Sequence, residues 1–327
     1  MRYVEAAGLR TSVIGLGAWQ FGSADWGWGA DFGPAEAQAI LDRARQLGVT
    51  LIDTAELYGR GESERVLGRV LAQPGTRESV LLATKVSPTW PTAERVKAAA
   101  RASLDRLGTD HLDLYQIHWP NPLVPQASTM AGMRALQAAG LVRHVGVSNY
   151  SLGRWHDAEA ALGGPVVSNQ VQYNLLRRKP ERDLLPFAAA EGRLVIAYSP
   201  LAQGVLSAKY TAGNAPGGIR STNLLFSEEN LRRAAPVLDA LREVAAAHDV
   251  TPAQIALAWV VHHPHVVAIP GAKSVAQVES NATAADIVLP DEEFLHLSQA
   301  ADRFHRDRLV SATSMVRRRA RALVRRR

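Results

Sequence analysis

The chain has 327 residues, of which 47% are apolar and 21% are charged, as is ordinary for a globular protein. This length allows one large α/β barrel or two modest domains. The absence of cysteine excludes disulfides, thiolate catalysis, cysteine-ligated zinc and iron–sulfur clusters.

The formal net charge of +6 is unevenly distributed. Residues 303–327 contain ten Arg and one Asp, so the remaining 302 residues carry a net charge of −3. We therefore predict a mildly acidic domain, residues 1–302, followed by an Arg-rich C-terminal extension, residues 303–327. The N-terminus lacks the apolar core of a signal peptide, and no apolar run is long enough for a membrane helix. The expected location is the cytoplasm, and no nucleic-acid or membrane partner is expected for residues 1–302.

The N-terminal segment predicts a short β-hairpin, with residues 3–5 and 10–14 on either side of a turn at Gly8. Residues 13–18 then read as a first strand. Further strands are predicted at residues 49–53, 80–85, 112–118, 142–147, 166–173, 194–198 and 266–269. Helices are predicted at residues 34–47, 62–71, 92–107, 128–139, 151–162, 180–191, 227–248, 252–262 and 274–284. A long loop, residues 201–226, is rich in Gly, Asn and Ser.

Strands and helices alternate, and the strands are nearly continuous apolar runs. Such strands are buried on both faces, as in parallel sheets covered by helices. Eight strand–helix units predict an α/β protein, a (β/α)₈ TIM barrel with an N-terminal β-hairpin, in preference to an open sheet.

Four polar residues lie at or just past predicted strand ends, namely Asp53, Tyr58, Lys85 and His118. The carboxyl ends of barrel strands share one mouth, so these side chains can converge there. A tyrosine phenol has a pKa of about 10, and an adjacent Lys85 ammonium would lower that pKa. Asp53 could hold Lys85, and His118 could orient a substrate carbonyl. The set suits carbonyl reduction, in which hydride reaches carbon while Tyr58 protonates oxygen. Taken singly, each residue has a structural alternative. Asp53 could be a helix cap, and Tyr58 could anchor a loop. Lys85 could extend its charged end to solvent, and His118 could be a packed core residue.

Five longer motifs favour the first interpretation. They are Ile52-Asp53-Thr54-Ala55-Glu56-Leu57-Tyr58-Gly59, Ala83-Thr84-Lys85, Asp113-Leu114-Tyr115-Gln116-Ile117-His118-Trp119, Val145-Gly146-Val147-Ser148-Asn149 and Ile269-Pro270-Gly271-Ala272. In sequence and order they resemble the aldo-keto reductase superfamily, in the subgroup of bacterial aldo-keto reductases and potassium-channel β subunits. The resemblance implies a (β/α)₈ barrel, a nicotinamide cofactor and Tyr58 as the proton donor, with Asp53, Lys85 and His118 as its partners.

The same resemblance implies a set of cofactor-binding residues. They are Gly17, Ala18, Trp19, Asp53, Ser148, Asn149, Gln170, Tyr198, Ser199, Pro200, Leu201, Gln203, Gly204, Lys209, Arg220, Gly271, Lys273, Gln277 and Asn281. Within this set, Ser148, Asn149 and Gln170 would bind the nicotinamide amide, and Tyr198 would stack on its ring. Ser199, Pro200, Leu201, Gln203 and Gly204 would cover the pyrophosphate. Gly15-Leu16-Gly17 matches only part of the glycine motif that binds dinucleotides in Rossmann folds. This partial match disfavours a Rossmann fold.

The preference between NADP and NAD depends on one departure from the family pattern. Many members place an Arg at the position of Gln277, where it grips the 2′-phosphate, and Gln277 cannot make a charged bidentate contact. Lys273 and Arg220 could compensate. We therefore expect NADPH/NADP, with NAD as the alternative. Ser280 replaces a Glu that is often found just before Asn281.

Indoles dominate the predicted substrate side. Trp19, Trp90 and Trp119, with Tyr58 and His118, are the expected substrate pocket, and Trp26 and Trp28 also fall near the mouth. Such walls favour apolar or aromatic carbonyl compounds or stacked sugar rings. Some of these indoles could merely pack the loops.

The sequence thus predicts an NADP-dependent aldo-keto reductase that reduces an aldehyde or ketone and needs no metal. Two alternatives stay open: an NAD-linked sugar or polyol dehydrogenase, and an NADP-sensing binding protein with little turnover. The Arg-rich extension is expected to be a solvated segment, and its contact with anionic surfaces is the alternative.

Overall fold

A computed structural model describes residues 1–216 and 223–305. The chain begins with an antiparallel hairpin, β1 (Tyr3–Ala6) and β2 (Leu9–Ser12). Eight further strands follow. They are β3 (Leu16–Gly17), β4 (Leu51–Asp53), β5 (Leu81–Val86), β6 (Leu112–Ile117), β7 (Val142–Ser148), β8 (Ser168–Gln172), β9 (Leu194–Tyr198) and β10 (Val266–Ala268).

The eight strands pair in parallel in chain order, from β3 to β10. The sheet closes on itself because Ile14 bridges to Ala268 and Gly17 bridges to Gly271. A glycine is required at position 17, since a Cβ there would lie 2.9 Å from the carbonyl oxygen of Ile269. The predicted (β/α)₈ barrel and its N-terminal hairpin are therefore confirmed.

Helices cover the outside of the barrel. They are α1 (Pro34–Gln46), α2 (Glu62–Leu71), α3 (Ala93–Leu107), α4 (Gln126–Ala138), α5 (Leu152–Leu162), α6 (Leu184–Glu191), α7 (Glu228–Ala247), α8 (Pro252–Val260), α9 (Val275–Thr283) and α10 (Asp291–Asp302). Two helices, α7 and α8, lie in the connection between β9 and β10, and α10 packs against α7. None of the helices among the described residues is long and apolar enough to cross a membrane.

Two parts of the chain differ from expectation. Helix α10 was not predicted, although it begins after Pro290 with three acidic residues in its first turn, a typical helix start. The expected loop at residues 201–226 contains short 3₁₀ segments at Ala202–Ser207 and Leu224–Phe226. Residues 217–222 of that loop, and residues 306–327 of the predicted Arg-rich extension, lie outside the described residues.

The hairpin determines which end of the barrel is open. Ala6 and Leu9 of the hairpin are buried in one cluster with inward side chains at the start of several strands, such as Leu51, Leu114 and Leu194. This cluster closes the amino-terminal end of the barrel. The carboxyl ends of the strands are left to form a binding cleft, as is usual for this fold.

Candidate active site

The strand ends bring the four predicted catalytic residues together. Asp53 ends β4 and Lys85 is the penultimate residue of β5. Tyr58 begins the short 3₁₀ segment Tyr58–Gly61 that leads into α2, and His118 directly follows β6. Asp53 and Lys85 are 1% and 0% exposed, whereas Tyr58 and His118 are partly buried and border the cleft.

Lys85 is the centre of this group. Its ammonium donates to Asp53 Oδ1 at 2.5 Å, to the Thr54 carbonyl oxygen at 2.8 Å and to the Tyr58 hydroxyl at 3.2 Å. A lysine ammonium has three protons, so these three bonds use its full donor capacity. The Lys85 head group is therefore held in one position, directly beside the Tyr58 oxygen.

The second carboxylate oxygen of Asp53 is also fully engaged. Gln116 and Gln170 donate to Asp53 Oδ2 through their side-chain amides, at 3.1 and 2.8 Å. Gln116 was not among the residues singled out in the sequence. The available signal was its position two residues before His118 on β6, because residues i and i+2 of a strand face the same side.

The balance of charge and burial determines the acidity of Tyr58. Burial raises the pKa of Tyr58, and the Lys85 ammonium offsets only part of this rise. The Lys85 ammonium lowers the pKa of Tyr58, as predicted, but burial outweighs this contribution, so the pKa of Tyr58 lies above its ordinary value and not below it. Burial alone would lower the pKa of Lys85, but the Asp53 carboxylate and the Tyr58 phenol outweigh it and raise the Lys85 pKa. Tyr58 is thus protonated and Lys85 is charged at neutral pH.

His118 faces Tyr58 as a neutral imidazole. The two ring centroids are 5.6 Å apart with the planes at 79°. Burial, together with the nearby Lys85 charge, lowers the pKa of His118 to about 3. Its buried Nδ1 atom has no hydrogen-bond partner within the described part of the chain. A neutral imidazole keeps one N–H donor, so His118 can hydrogen-bond a carbonyl oxygen without carrying charge.

These residues form one end of a cleft of ≈ 830 Å³. Most of the residues predicted to bind cofactor or substrate line it. They are Gly17, Trp19, Asp53, Tyr58, His118, Trp119, Ser148, Asn149, Gln170, Tyr198, Ser199, Pro200, Leu201, Gln203, Gly204, Lys209, Gly271, Gln277 and Asn281. The cleft therefore connects the Tyr58 end with the region around α9.

Beside His118 the cleft wall is a hydrogen-bonded polar group. Ser148 Oγ donates to the backbone carbonyl oxygen of Gln170 at 2.9 Å, and Asn149 Nδ2 donates to the backbone carbonyl oxygen of His118 at 3.2 Å. Tyr198 donates its hydroxyl proton to Asn149 Oδ1 at 3.0 Å. Asn149 is held in the left-handed region, with φ of 63°. These contacts fix the amide and phenol groups that border the space beside Tyr58.

The segment that follows β9 has an unusual backbone. Ser199, Gln203 and Gly204 have φ values of 50°, 57° and 103°. Asn174 supports this segment by donating to the Ser199 carbonyl oxygen at 2.9 Å. Strained backbone of this kind clusters at ligand-binding sites, where the surrounding structure holds it in place.

The far end of the cleft adjoins the start of α9. Ser274 caps this helix by accepting from the Gln277 backbone N–H at 3.3 Å. Gln277 Oε1 accepts from the Lys273 backbone N–H at 2.8 Å. The Lys273 ammonium lies 3.4 Å from the Asp31 carboxylate. An α-helix N-terminus with free backbone N–H groups favours an anion.

Several predicted residues do not themselves line the cleft. Ala18, Trp90 and Lys273 are not among the described residues that line the cleft. Lys85 does not line it either, but it contacts Tyr58 and Asp53, which do. Trp90 is 58% exposed and, within the described structure, does not line the cleft with Trp19 and Trp119. Arg220 lies outside the described residues.

The apolar part of the cleft beside Tyr58 is formed by Trp19, Trp26, Leu57 and Trp119. Trp19 packs on Trp26, with ring centroids 4.9 Å apart. Trp28, by contrast, packs edge-on against Phe32 at 5.3 Å and does not line the cleft in the described structure. Spacing in the sequence could not separate these indoles, because loop conformation decides which of them turn inward.

Across residues 1–216 and 223–305, no three His, Asp or Glu side chains are grouped so as to hold a metal ion.

Comparison with known proteins decides the family. Residues 13–302 match the model of the aldo/keto reductase family. The chain belongs to the aldo/keto reductase family. The family resemblance noted from its motifs is thereby confirmed, and the protein is an oxidoreductase of this family.

Relatives in this family cover nearly the whole chain. An uncharacterized oxidoreductase of Mycobacterium tuberculosis is 52% identical over 305 residues, which are 93% of this chain and 94% of that protein. An NADH-specific methylglyoxal reductase of Escherichia coli is 30% identical over 91% of this chain and 97% of its own length. The crystal structure of an aldo-keto reductase from Klebsiella pneumoniae in complex with NADPH has a TM-score of 0.74 and 33% identity, covering 91% of this chain and 95% of that one.

Proposed function

We propose that this aldo/keto reductase reduces an aldehyde or ketone to an alcohol, with NADPH as the hydride donor and Tyr58 as the proton donor. The observation that carries this proposal is the contact of the Lys85 ammonium with both the Tyr58 hydroxyl, at 3.2 Å, and the buried Asp53 carboxylate, at 2.5 Å.

The proton step follows from these contacts. Tyr58 is protonated at neutral pH, because burial raises its pKa, and so it holds the proton that the carbonyl oxygen needs. As the carbonyl carbon accepts hydride and the carbonyl π pair moves to oxygen, Tyr58 would transfer its proton to that oxygen, which completes the alcohol. The phenolate that remains is stabilised by the Lys85 ammonium beside it. His118, neutral and aimed at the same space, would hydrogen-bond the carbonyl oxygen and orient it.

The residues of the cleft fit a nicotinamide dinucleotide. Ser148, Asn149 and Gln170 offer hydroxyl and amide groups for the nicotinamide carboxamide, beside the Tyr198 ring. Residues 199–204 supply a constrained backbone for the pyrophosphate. The region around Ser274 and Lys273 supplies backbone amides and a cation for the phosphate of the adenosine end. When bound, the cofactor supplies the hydride.

The choice of NADP over NAD rests on Lys273, the one ammonium placed at the start of α9 in the described structure. The K. pneumoniae relative binds NADPH, which supports this choice. The opposing observation is Gln277, an uncharged side chain at the adenosine end of the cleft. Together with the NADH-specific E. coli relative, it favours a second candidate, an NAD-linked dehydrogenase that oxidises a sugar or polyol.

The substrate is expected to be an apolar or aromatic carbonyl compound. Trp19, Trp26, Leu57 and Trp119 surround the space in front of Tyr58 and present mainly apolar surface. Burying an aromatic or alkyl group against these side chains would stabilise binding and place the carbonyl next to Tyr58 and His118.

The test is a panel of aldehydes, ketones, sugars and polyols assayed with NADPH and NADH, or with their oxidised forms for the alcohols. Tyr58→Phe is expected to lower kcat for carbonyl reduction by about 10²- to 10⁴-fold, since it removes the proton donor. Tyr3→Phe is the matched control, because the Tyr3 hydroxyl donates to the Gly48 carbonyl oxygen at 3.0 Å, at the closed end of the barrel.

Each other outcome points to a specific alternative. Full activity of Tyr58→Phe would overturn the mechanism. Tight NADPH binding without turnover of any carbonyl compound would support the NADP-sensing binding protein. Turnover of polyols with NAD alone would support the NAD-linked dehydrogenase.

A further inference from the structure

Gln116 is a fully buried amide that the proposed reaction does not itself use. It lies on β6 in register with Lys85 of β5 on one side and Gly146 of β7 on the other. Its relative exposure is 0%. Burying an amide is unfavourable unless its hydrogen bonds are made, so the partners of Gln116 indicate why this position is polar.

The neighbouring strand makes room for this side chain. A Cβ at Gly146 would lie 3.0 Å from Gln116 Cγ and would clash with Ser168 Oγ. Glycine inside a strand weakens it and often marks such a close approach. Gly146 therefore provides the space in which Gln116 extends to the carboxylate of Asp53.

The chemistry of Asp53 fixes the orientation of two amides. An ionised carboxylate only accepts hydrogen bonds, so Gln116 and Gln170 must both turn their NH₂ groups toward Asp53 Oδ2. The Gln170 NH₂ group also lies 3.4 Å from Gln116 Oε1. Both of its protons are thereby directed to acceptors inside the barrel. The side-chain carbonyl oxygen of Gln170, Oε1, is therefore the atom of this side chain that can accept a hydrogen bond from a ligand in the cleft.

We propose that Gln116 is a positioning residue that acts through Asp53 and Gln170. By donating to Asp53 Oδ2, Gln116 partly neutralises the carboxylate charge that faces Lys85 and Tyr58. By accepting from the Gln170 NH₂ group, it also orients the Gln170 side chain so that the side-chain carbonyl oxygen accepts a hydrogen bond from the nicotinamide carboxamide. This inference rests on the proposed function for its role in the reaction. The hydrogen bonds themselves are independent of that function.

Two measurable consequences follow from losing the Gln116 amide. With one donor fewer, the charge on Asp53 is less neutralised, so it opposes ionisation of Tyr58 more strongly and the pKa of Tyr58 rises. The Gln170 amide also loses one of its two acceptors, so it is less restricted in the orientation that suits the cofactor. The first consequence changes a pH profile and the second changes cofactor affinity.

The experiment compares the parent with Gln116→Met, which keeps the length of the side chain and removes its amide. Alcohol oxidation needs the Tyr58 phenolate, so its rate rises with pH, and the midpoint of this rise is expected to move up by about half a unit in Gln116→Met. The Kd for NADPH, measured by quenching of protein fluorescence, is expected to rise about three- to ten-fold. Gln116→Asn keeps the amide at shorter reach and should fall between parent and Gln116→Met in both measurements.

Gln38→Met is the matched control. It removes the same kind of bond, from a glutamine amide to the Asp42 carboxylate at 2.9 Å, on the outer surface of α1. This variant should match the parent in both measurements. An unchanged midpoint and an unchanged Kd in folded Gln116→Met would overturn the inference. If Gln116→Met does not fold, Gln116→Asn decides, and parental values in that variant would overturn it.

A readout without turnover separates this inference from the proposed function. Phenolate absorbance is titrated in the parent and in Gln116→Met, each against its Tyr58→Phe derivative, so that the difference reports Tyr58 alone. If no carbonyl compound is reduced, the proposed function fails, but the phenolate titration and the NADPH affinity still decide the role of Gln116.

Discussion

Replacing Lys85 by methionine is expected to destabilise the protein strongly, because it leaves the Asp53 carboxylate buried without its counter-charge. Asp53 is 1% exposed and Lys85 is 0% exposed. Breaking a buried ion pair by removing one partner costs about 3–5 kcal/mol. Gln116 and Gln170 still donate to Asp53 Oδ2 in the variant. The loss in free energy of unfolding should therefore lie near the lower limit, at about 3 kcal/mol.

A second substitution tests the reason for this loss. Asp53→Asn in the Lys85→Met background removes the unpaired charge while keeping an oxygen that can accept from Gln116 and Gln170. The double variant should therefore recover about 1–2 kcal/mol relative to Lys85→Met, a coupling typical of residues in direct contact. Carbonyl reduction should not recover, because the ammonium beside Tyr58 is still missing.

The assay is urea unfolding, monitored by circular dichroism, of the parent, Lys85→Met, Asp53→Asn and the double variant. Arg65→Met is the control, since Arg65 pairs with Glu62 at 3.4 Å on the surface, where an ion pair contributes at most about 1 kcal/mol. A loss below about 1 kcal/mol in Lys85→Met, or a double variant no more stable than Lys85→Met, would refute the reasoning.

Three further predictions concern the pH profile, the cofactor and the barrel closure. Because the pKa of His118 lies at about 3, below its ordinary value, the imidazole stays neutral as pH falls until that value. Between about pH 5 and pH 8, the rate of carbonyl reduction should therefore depend on pH in the same way in the parent and in His118→Gln. A change in rate near the ordinary histidine pKa that is seen only in the parent would contradict this. Asp31→Asn removes the carboxylate 3.4 Å from the Lys273 ammonium, so NADP affinity should rise about two- to five-fold relative to NAD, and an unchanged affinity ratio would argue against a phosphate contact of Lys273. Gly17→Ala places a Cβ 2.9 Å from the Ile269 carbonyl oxygen and should lower the free energy of unfolding by about 1–3 kcal/mol in urea; parental stability would mean that the barrel seam adjusts without strain.

Much of the fold and part of the site could be predicted from the sequence. The alternation of apolar strands with helices is a local pattern, and it indicated the barrel because near-continuous apolar strands must be covered on both faces. The positions of Asp53, Lys85 and His118 at strand ends indicated that they share one mouth, because parallel strands in a barrel end on the same side. Helix α10 was missed although its start signals are present in the sequence.

Only the tertiary structure decided how these groups act on one another. The Gln116 amide reaches Asp53 across a space left by Gly146, and that space depends on the register of three strands. The direction of the Tyr58 pKa depends on burial outweighing the Lys85 charge, and burial is a property of the packed barrel. Sequence spacing places residues on elements, whereas distances and desolvation between elements arise only when the elements pack together.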